Sequence, residues 1–271
     1  MKIFDCFSYW DEDLLLDLRL NILNDCVDYF VIVEGNKTWQ NNSKMFRFDI
    51  NKFEKFKKKI IYVKVEDLPD GKNPYLRENH QRNSITKGLK NADKDDLIII
   101  SDLDEIPNPK SIQEFLPKMR YAVFQQKHFY YKFNLQSVNF PYWQGSRVCV
   151  YKYLKSPQWL RDLKFKKRAF WRIDKIRLNN IISEGGWHFC NLKDPESLKY
   201  KYENLCETDD PIVFKDKIDN KYLNTEEIRK NIVSGLDIIG RNDKFVKVEI
   251  ANSFPKYLLE NINFYKNKWI V

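Results

Sequence analysis

The sequence has 271 residues, of which 43% are hydrophobic and 15% aromatic, enough to bury a sizeable core in one large domain. Eight glycines and ten prolines are too few for a low-complexity chain, and no fixed-period self-similarity marks a solenoid or propeller. The formal net charge of +9 favours an anionic partner, although lysines scattered over a solvated surface account for it equally well.

Residues 2–9 read as a strand, followed by Asp11 as a helix cap and a leucine-rich stretch at 14–23 with helical apolar spacing. Residues 29–33 form a second buried strand, closed by Glu34. A short helix around Phe53 and Phe56 leads to a third strand at 60–65. A polar loop with Pro69, Gly71 and Pro74 then precedes a helix over 76–90. Leu97-Ile98-Ile99-Ile100 is a continuous apolar run of the kind that forms a central parallel strand covered on both faces. Strand and helix alternate throughout this half. The expected fold class is therefore α/β, an open, mostly parallel twisted sheet flanked by helices, with ligands bound beyond the carboxyl ends of the strands.

After Ile112 the texture turns aromatic, with strand-like segments at 121–133 and 147–153, a basic stretch at 164–172 and a turn at Gly185-Gly186. Helical patterns return from Pro195 and end in 255–269, where Tyr257, Leu258, Ile262 and Tyr265 share a face. No linker is long enough to mark a second domain. Five widely spaced cysteines without a C-x-x-C pair suggest neither a zinc ribbon nor a disulfide framework, and fit a reducing compartment.

The sharpest motif is Ser101-Asp102-Leu103-Asp104-Glu105-Ile106-Pro107, which begins where the apolar run ends. Three carboxylates within four residues repel one another, and burying them is costly unless cations compensate. A divalent cation removes that cost, and hard oxygen donors suit Mg²⁺ or Mn²⁺ bridging carboxylates to substrate phosphates. Alternation in extended backbone puts Asp102 and Asp104 on one side while Leu103 turns into the core. The bland alternative is an acidic turn capping the next helix.

His188, in Glu184-Gly185-Gly186-Trp187-His188-Phe189, is the candidate third metal ligand, since neutral imidazole binds Mn²⁺. A lone histidine is as often an ordinary hydrogen-bonded core residue. Trp187 is a candidate sugar platform, against the commoner outcome of a buried indole, and Glu105 is a candidate acceptor contact. Glu34, followed by Gly35 and Asn36, closes the second strand on the ligand edge of the sheet. Glu78, Gln81 and Arg82 share a helix face within reach of a nucleotide or of the acidic motif, where solvated helix charges are the usual explanation.

Four motifs in order resemble glycosyltransferase family 17: the opening Lys2-Ile3-Phe4-Asp5-Cys6-Phe7, the segment Tyr29-Phe30-Val31-Ile32-Val33-Glu34-Gly35-Asn36-Lys37-Thr38, the acidic motif, and Gly185-Gly186-Trp187-His188-Phe189. The resemblance spans most of the chain. It implies a GT-A-like fold, a UDP-sugar donor carrying GlcNAc or a related hexose, and a glycan or glycoconjugate acceptor. It also implies a D-x-D motif at Asp102 and Asp104 that binds Mn²⁺ or Mg²⁺, and inversion at the anomeric carbon. Phe7, in the opening motif, joins Glu34, Asn36, Arg82 and Asp102 as a candidate donor contact; Lys166, Lys167 and Arg168 are candidate phosphate contacts. Glu184, beside the Gly-Gly turn, is the candidate catalytic base, against an ordinary loop carboxylate. The expected organisation is one domain over 1–271, with a nucleotide-sugar-binding half at 1–110, an aromatic-rich acceptor-side half at 111–193 and a helical part at 194–271.

Neither a signal peptide nor a run of the roughly 20 apolar residues of a membrane span is legible. The expectation is a protein of the cytoplasm or the cytoplasmic membrane face. The aromatic, basic C-terminal helix is read as packing on the domain, with peripheral membrane contact as the alternative. Two readings from other classes stand beside the transferase. A metal-dependent phosphohydrolase acting on nucleotide sugars also uses acidic clusters at strand ends, but His80, His128 and His188 are few for a binuclear site. A nucleic-acid-binding module fits the charge and the aromatic, basic region at 121–172, yet leaves the acidic motif unexplained, so no nucleic-acid partner is expected.

Overall fold

The computed structural model describes residues 1–165, 180–206, 224–239 and 241–271, so Lys166, Lys167 and Arg168 lie outside the described residues. The first half alternates as expected: β1 (Ile3–Ser8), α1 (Asp13–Leu23), β2 (Tyr29–Gly35), β3 (Ile60–Val65), α2 (Pro74–Asn83) and β4 (Leu97–Asp102). These strands are mutually parallel in the order β4-β1-β2-β3. The chain thus winds outward from β1 through β2 and β3, then crosses back to place β4 on the other side of β1. Neighbouring strands whose connections leave in opposite directions open a crevice at their carboxyl ends, and this one lies between β1 and β4.

Period-two alternation sorts each strand between two cores. Phe4, Cys6, Val31, Val33, Ile98 and Ile100 face one side, against Ile85, Leu89 and Leu160. Phe7, Phe30, Ile32, Leu97 and Ile99 face the other, against Leu15, Leu16, Leu20 and Leu258. A strand buried on both faces must be apolar at successive positions, which is why Leu97 to Ile100 reads as an uninterrupted run.

The second half contains β5 (Glu105–Pro107), α3 (Pro109–Ile112), β6 (Tyr121–Tyr130), β7 (Leu135–Ser137), β8 (Tyr142–Val150), α4 (Pro157–Asp162), β9 (Ile181–Ile182) and β10 (Gly186–Cys190). Then follow α5 (Pro195–Asn204), α6 (Thr225–Ser234), β11 (Phe245–Lys247), α7 (Lys256–Glu260) and α8 (Ile262–Trp269). Here the sheet departs from the mostly parallel expectation and is mixed. β8 runs antiparallel to both β4 and β6, β7 antiparallel to β6 and β11, and β10 parallel to β6 but antiparallel to β5. The connection from β6 to β8 is short and holds only β7, whereas a parallel return needs a crossover of a dozen or more residues.

Several boundaries also move. Glu12 rather than Asp11 occupies the N-cap of α1, and Asp11 instead pairs with Arg47 and Lys193. The turn around Phe53 is 3₁₀, with non-helical backbone at Phe53 itself. The helix expected over 76–90 is α2, capped by the Asn73 side chain with Pro74 in the first turn, followed by a 3₁₀ turn at Ser84–Gly88. The C-terminal helix breaks at Asn261, yet Leu258 and Tyr265 are buried on the shared face. No helix among the described residues is long and apolar enough to cross a membrane.

Candidate active site

The carboxyl ends of β1 and β4 open onto a cavity of about 430 Å³, lined by Ser8, Tyr9 and Trp10 after β1 and by Asp102, Leu103, Asp104 and Glu105 after β4. α2 contributes Glu78, Gln81 and Arg82, β8 contributes Trp143, β10 contributes His188 and Cys190, and α5 contributes Lys201 and Tyr202.

The acidic turn is built on one buried guanidinium. Arg19, from α1, donates from Nη1 to the carbonyl oxygens of Asp102, Leu103 and Glu105 at 3.1, 3.1 and 2.7 Å, and from Nη2 to Ser101 Oγ at 2.9 Å. The guanidinium thereby satisfies backbone oxygens of the turn, sharing the Glu105 carbonyl with Ser146 Oγ, and fixes the turn from below.

A second arginine fixes it from the side. Arg161, at the end of α4, contacts both oxygens of Glu105 and one oxygen of Asp102, each at 2.6 Å. Trp143 Nε1 and the Asp102 amide donate the remaining bonds to Glu105, at 2.8 and 3.0 Å. Arg82 reaches the other oxygen of Asp102 at 3.1 Å. Burial opposes the charge on Asp102, but Arg161 and Arg82 outweigh it and hold the carboxyl well below the ordinary carboxylate range.

Asp104 is in a different situation. Among the described residues its ion-pair partner is His188, whose Nε2 lies 3.5 Å from Asp104 Oδ1. Burial penalises both charges, yet each partner favours the charged form of the other, so Asp104 is lowered and His188 raised well above the usual imidazole range. This donor set fits a divalent cation: a carboxylate and an imidazole face the same cavity with one proton between them, and a cation would supply the positive charge that the proton now supplies. Asp102 can add its carboxylate to such a site only through lone pairs its two arginines leave free.

The sequence model of glycosyltransferase family 17 matches residues 1–267. The chain belongs to glycosyltransferase family 17. Rat β-1,4-mannosyl-glycoprotein 4-β-N-acetylglucosaminyltransferase is 25% identical over 298 residues, covering 98% of this chain and 54% of the rat protein. The human enzyme of the same name is 25% identical over 293 residues, covering 96% of this chain and 53% of its own length. The family 17 chain thus spans about half the length of the curated relatives it matches. Among solved structures, a 2-C-methyl-D-erythritol 4-phosphate cytidylyltransferase from Francisella tularensis matches with a TM-score of 0.36 and 9% identity, over 76% of this chain and 100% of that one.

Of the residues singled out from this family 17 sequence, Asp102, Asp104, Glu105, Arg82 and His188 meet at the cavity. Glu105, however, is 1% exposed and spends its carboxylate on Arg161, Trp143 and the Asp102 amide, so it braces the turn. Other candidates are placed elsewhere. Phe7 is fully buried beneath the guanidinium of Arg19, 4.5 Å from its ring centre. Glu34 accepts from Lys44, Tyr62 and the amides of Arg47 and Phe48, tying the loop after β2 to the sheet. Asn36 donates to the Glu66 carbonyl beside β3 and does not line the cavity. Trp187 is 6% exposed in the core and donates to the Ser253 carbonyl. Glu184 points outward to Lys127 at 3.2 Å, with a side chain 64% exposed.

The structure adds residues that no local pattern announced. Trp10 and Trp39 stand 5.5 Å apart in the cavity wall, and both indole N–H groups are buried without a hydrogen-bond partner among the described residues. Arg161 and Trp143 were silent because each is an ordinary residue of its own element. Their roles arise only where α4 and β8 meet the end of β4.

Proposed function

We propose that this chain is an inverting, metal-dependent glycosyltransferase moving a sugar, GlcNAc or a related hexose, from a UDP-sugar to a glycan hydroxyl. The observation that carries the reading is the meeting of Asp104 and His188 with two partnerless indole donors in one cavity at the crevice between β1 and β4. Family membership and the names of the relatives support the reaction class, a sugar donor and a glycan acceptor.

Asp104 and His188, with Asp102, would hold a Mn²⁺ or Mg²⁺ ion. Its chemistry there is to offset the charge that develops on the departing diphosphate. Arg82 and Arg161 keep Asp102 ionised and immobile, which preorganises the acidic turn before substrate arrives. Trp10 and Trp39 offer flat apolar faces and free N–H donors suited to a sugar or base, and Lys201 adds positive charge at the cavity floor. Inversion needs a carboxylate to take the acceptor proton. Glu12 and Glu78 line the cavity outside the acidic turn and take over the role assigned from sequence to Glu184.

The test is calorimetric titration with UDP-, GDP- and CMP-sugars, with and without Mn²⁺, beside Asp104→Ala. Mn²⁺-dependent binding of one UDP-sugar, lost in the variant, is the expected result. Failure of every nucleotide sugar to bind under any metal condition would overturn the reading, and acceptor-independent cleavage of the donor to sugar 1-phosphate and nucleoside monophosphate would favour the phosphohydrolase.

A further inference from the structure

Behind the acidic turn, two strands bring a second set of ligating side chains together. β10 and β6 run parallel, with His188 opposite His128 and Cys190 opposite Tyr130. Alternation puts His188 and Cys190 on one face of β10, where both look toward His128 across the ladder. One ligand atom from each of His128, His188 and Cys190 lies within 4.8 Å of the others. The two imidazole rings are parallel, with centroids 4.7 Å apart.

Each imidazole has one nitrogen committed and one bare. His128 Nδ1 lies 3.1 Å from the Phe140 carbonyl, which only accepts, so Nδ1 carries the proton and Nε2 keeps its lone pair. His188 turns Nε2 toward Asp104, which leaves Nδ1 on the inner side. His128 Nε2 and His188 Nδ1 are both buried without a hydrogen-bond partner among the described residues, on side chains belonging to residues 5% and 8% exposed. A buried polar nitrogen left without a partner is destabilising, and a ligand between the two rings would relieve both. A carbonyl on the far nitrogen of one ring and a carboxylate on that of the other are the outer partners that orient metal-bound histidines.

We propose that His128 Nε2, His188 Nδ1 and Cys190 Sγ form a second metal site, for a thiophilic divalent cation of the zinc type, separate from the hard-cation site at the acidic turn. Two imidazoles and a thiolate prefer Zn²⁺ over Mg²⁺ or Mn²⁺. Metal–ligand bonds of about 2.0–2.3 Å set tetrahedral donors about 3.3–3.8 Å apart, so binding draws the three atoms together by roughly 1 Å and tilts the rings out of parallel. The proton on Cys190 Sγ and the one that the charged His188 carries on Nδ1 both leave to solvent as the metal binds, which frees the thiolate and the imidazole lone pair. The fourth position faces the cavity that His188 and Cys190 both line.

One consequence rests on the transferase reading, although the site itself does not. A neutral imidazole offers one lone pair, so His188 serves one cation or the other. Zinc on Nδ1 keeps Nε2–H directed at Asp104, withdraws the imidazole from the Mn²⁺ set, and makes micromolar zinc an inhibitor of Mn²⁺-dependent donor binding that a chelator reverses.

The experiment titrates the full chain with Co²⁺, followed by its visible spectrum, and with Zn²⁺ in competition with a chromophoric chelator. The expected result is one equivalent of metal, a thiolate-to-cobalt charge-transfer band that Cys190→Ser abolishes, and zinc affinity at least tenfold weaker in both Cys190→Ser and His128→Gln. Asp102→Asn leaves the cobalt spectrum unchanged, and circular dichroism checks that each variant is folded. The proposal is overturned if folded Cys190→Ser binds cobalt and zinc like the parent, or if Asp102→Asn alone abolishes the signal, which would put the metal at the acidic turn. Donor binding in Mn²⁺ alone, measured separately, tells failure of this site from failure of the transferase reading.

Discussion

Arg19 and Asp5 are joined by two hydrogen bonds of 2.8 and 2.6 Å, and neither side chain is exposed. The pair is unusual in that its charge is spent on geometry: the guanidinium donors that Asp5 does not take go to the backbone of the acidic turn. Replacing one member leaves the other charged, buried and alone. Arg19→Met and Asp5→Asn are each expected to lower stability by about 3–5 kcal/mol, read from urea midpoints. Arg19→Lys should rescue little, because an ammonium cannot fork to Asp5 and the turn together.

Arg161 and Glu105 form the matching brace on the cavity side. Arg161→Met strands a carboxylate that is 1% exposed, and the double variant with Glu105→Gln removes the stranded charge as well. The expected outcome of the double-mutant cycle is strong coupling, with the pair of changes costing less than the sum of the two single ones by about 1–3 kcal/mol. Additive effects would mean that Trp143 and the Asp102 amide hold Glu105 unaided.

The partnerless indole donors make a separable prediction. Trp10→Phe and Trp39→Phe keep an aromatic face but remove the N–H, so each should weaken UDP-sugar binding about tenfold, near 1.4 kcal/mol, while stability stays within about 0.5 kcal/mol of the parent. Calorimetry with thermal melts on the same samples measures both.

Gly186 has φ of +129°, and a Cβ there would lie 2.1 Å from the Ile106 carbonyl oxygen. The strand carrying His188 pairs with β5 only because this position lacks a side chain. Gly186→Ala should lower Tm by several degrees, equivalent to about 2 kcal/mol or more, and weaken cation binding at the turn.

Cys26 provides a pH test away from the site. Burial, aided by Asp5, pushes its thiol up to about 12. At pH 8.5 an ordinary thiol is about half ionised, so Cys26 should hold about a thousandfold less thiolate. Its alkylation, followed by peptide mass mapping, should keep rising to near pH 12 in any range where the chain stays folded, and a plateau near pH 9 would contradict this.

Much of the first half was legible because its signals are local. Leu97 to Ile100 must be apolar at every position to sit between two cores, and the acidic motif follows at the point where that burial ends. Trp187 and Glu184 show the limit. Both belong to the motif that carries His188, yet Trp187 turns into the core from β10 while Glu184, in the turn before that strand with φ of +49°, reaches out to Lys127, and sequence alone says neither which face of a strand is buried nor how a turn aims its side chain.

The sequence by itself determined the parallel strands, the placement of Asp102 and Asp104 at the end of the fourth, and membership of a glycosyltransferase family, because periodicity and motif order are properties of neighbours along the chain. Tertiary structure decided which side chains meet. Arg19, Arg161 and Trp143 converge on the acidic turn, and His128 stands against His188, only after β4, β6, β8 and β10 have paired in register. Those pairings join segments tens of residues apart, and register depends on how whole faces bury together, which is information held by no single stretch of chain.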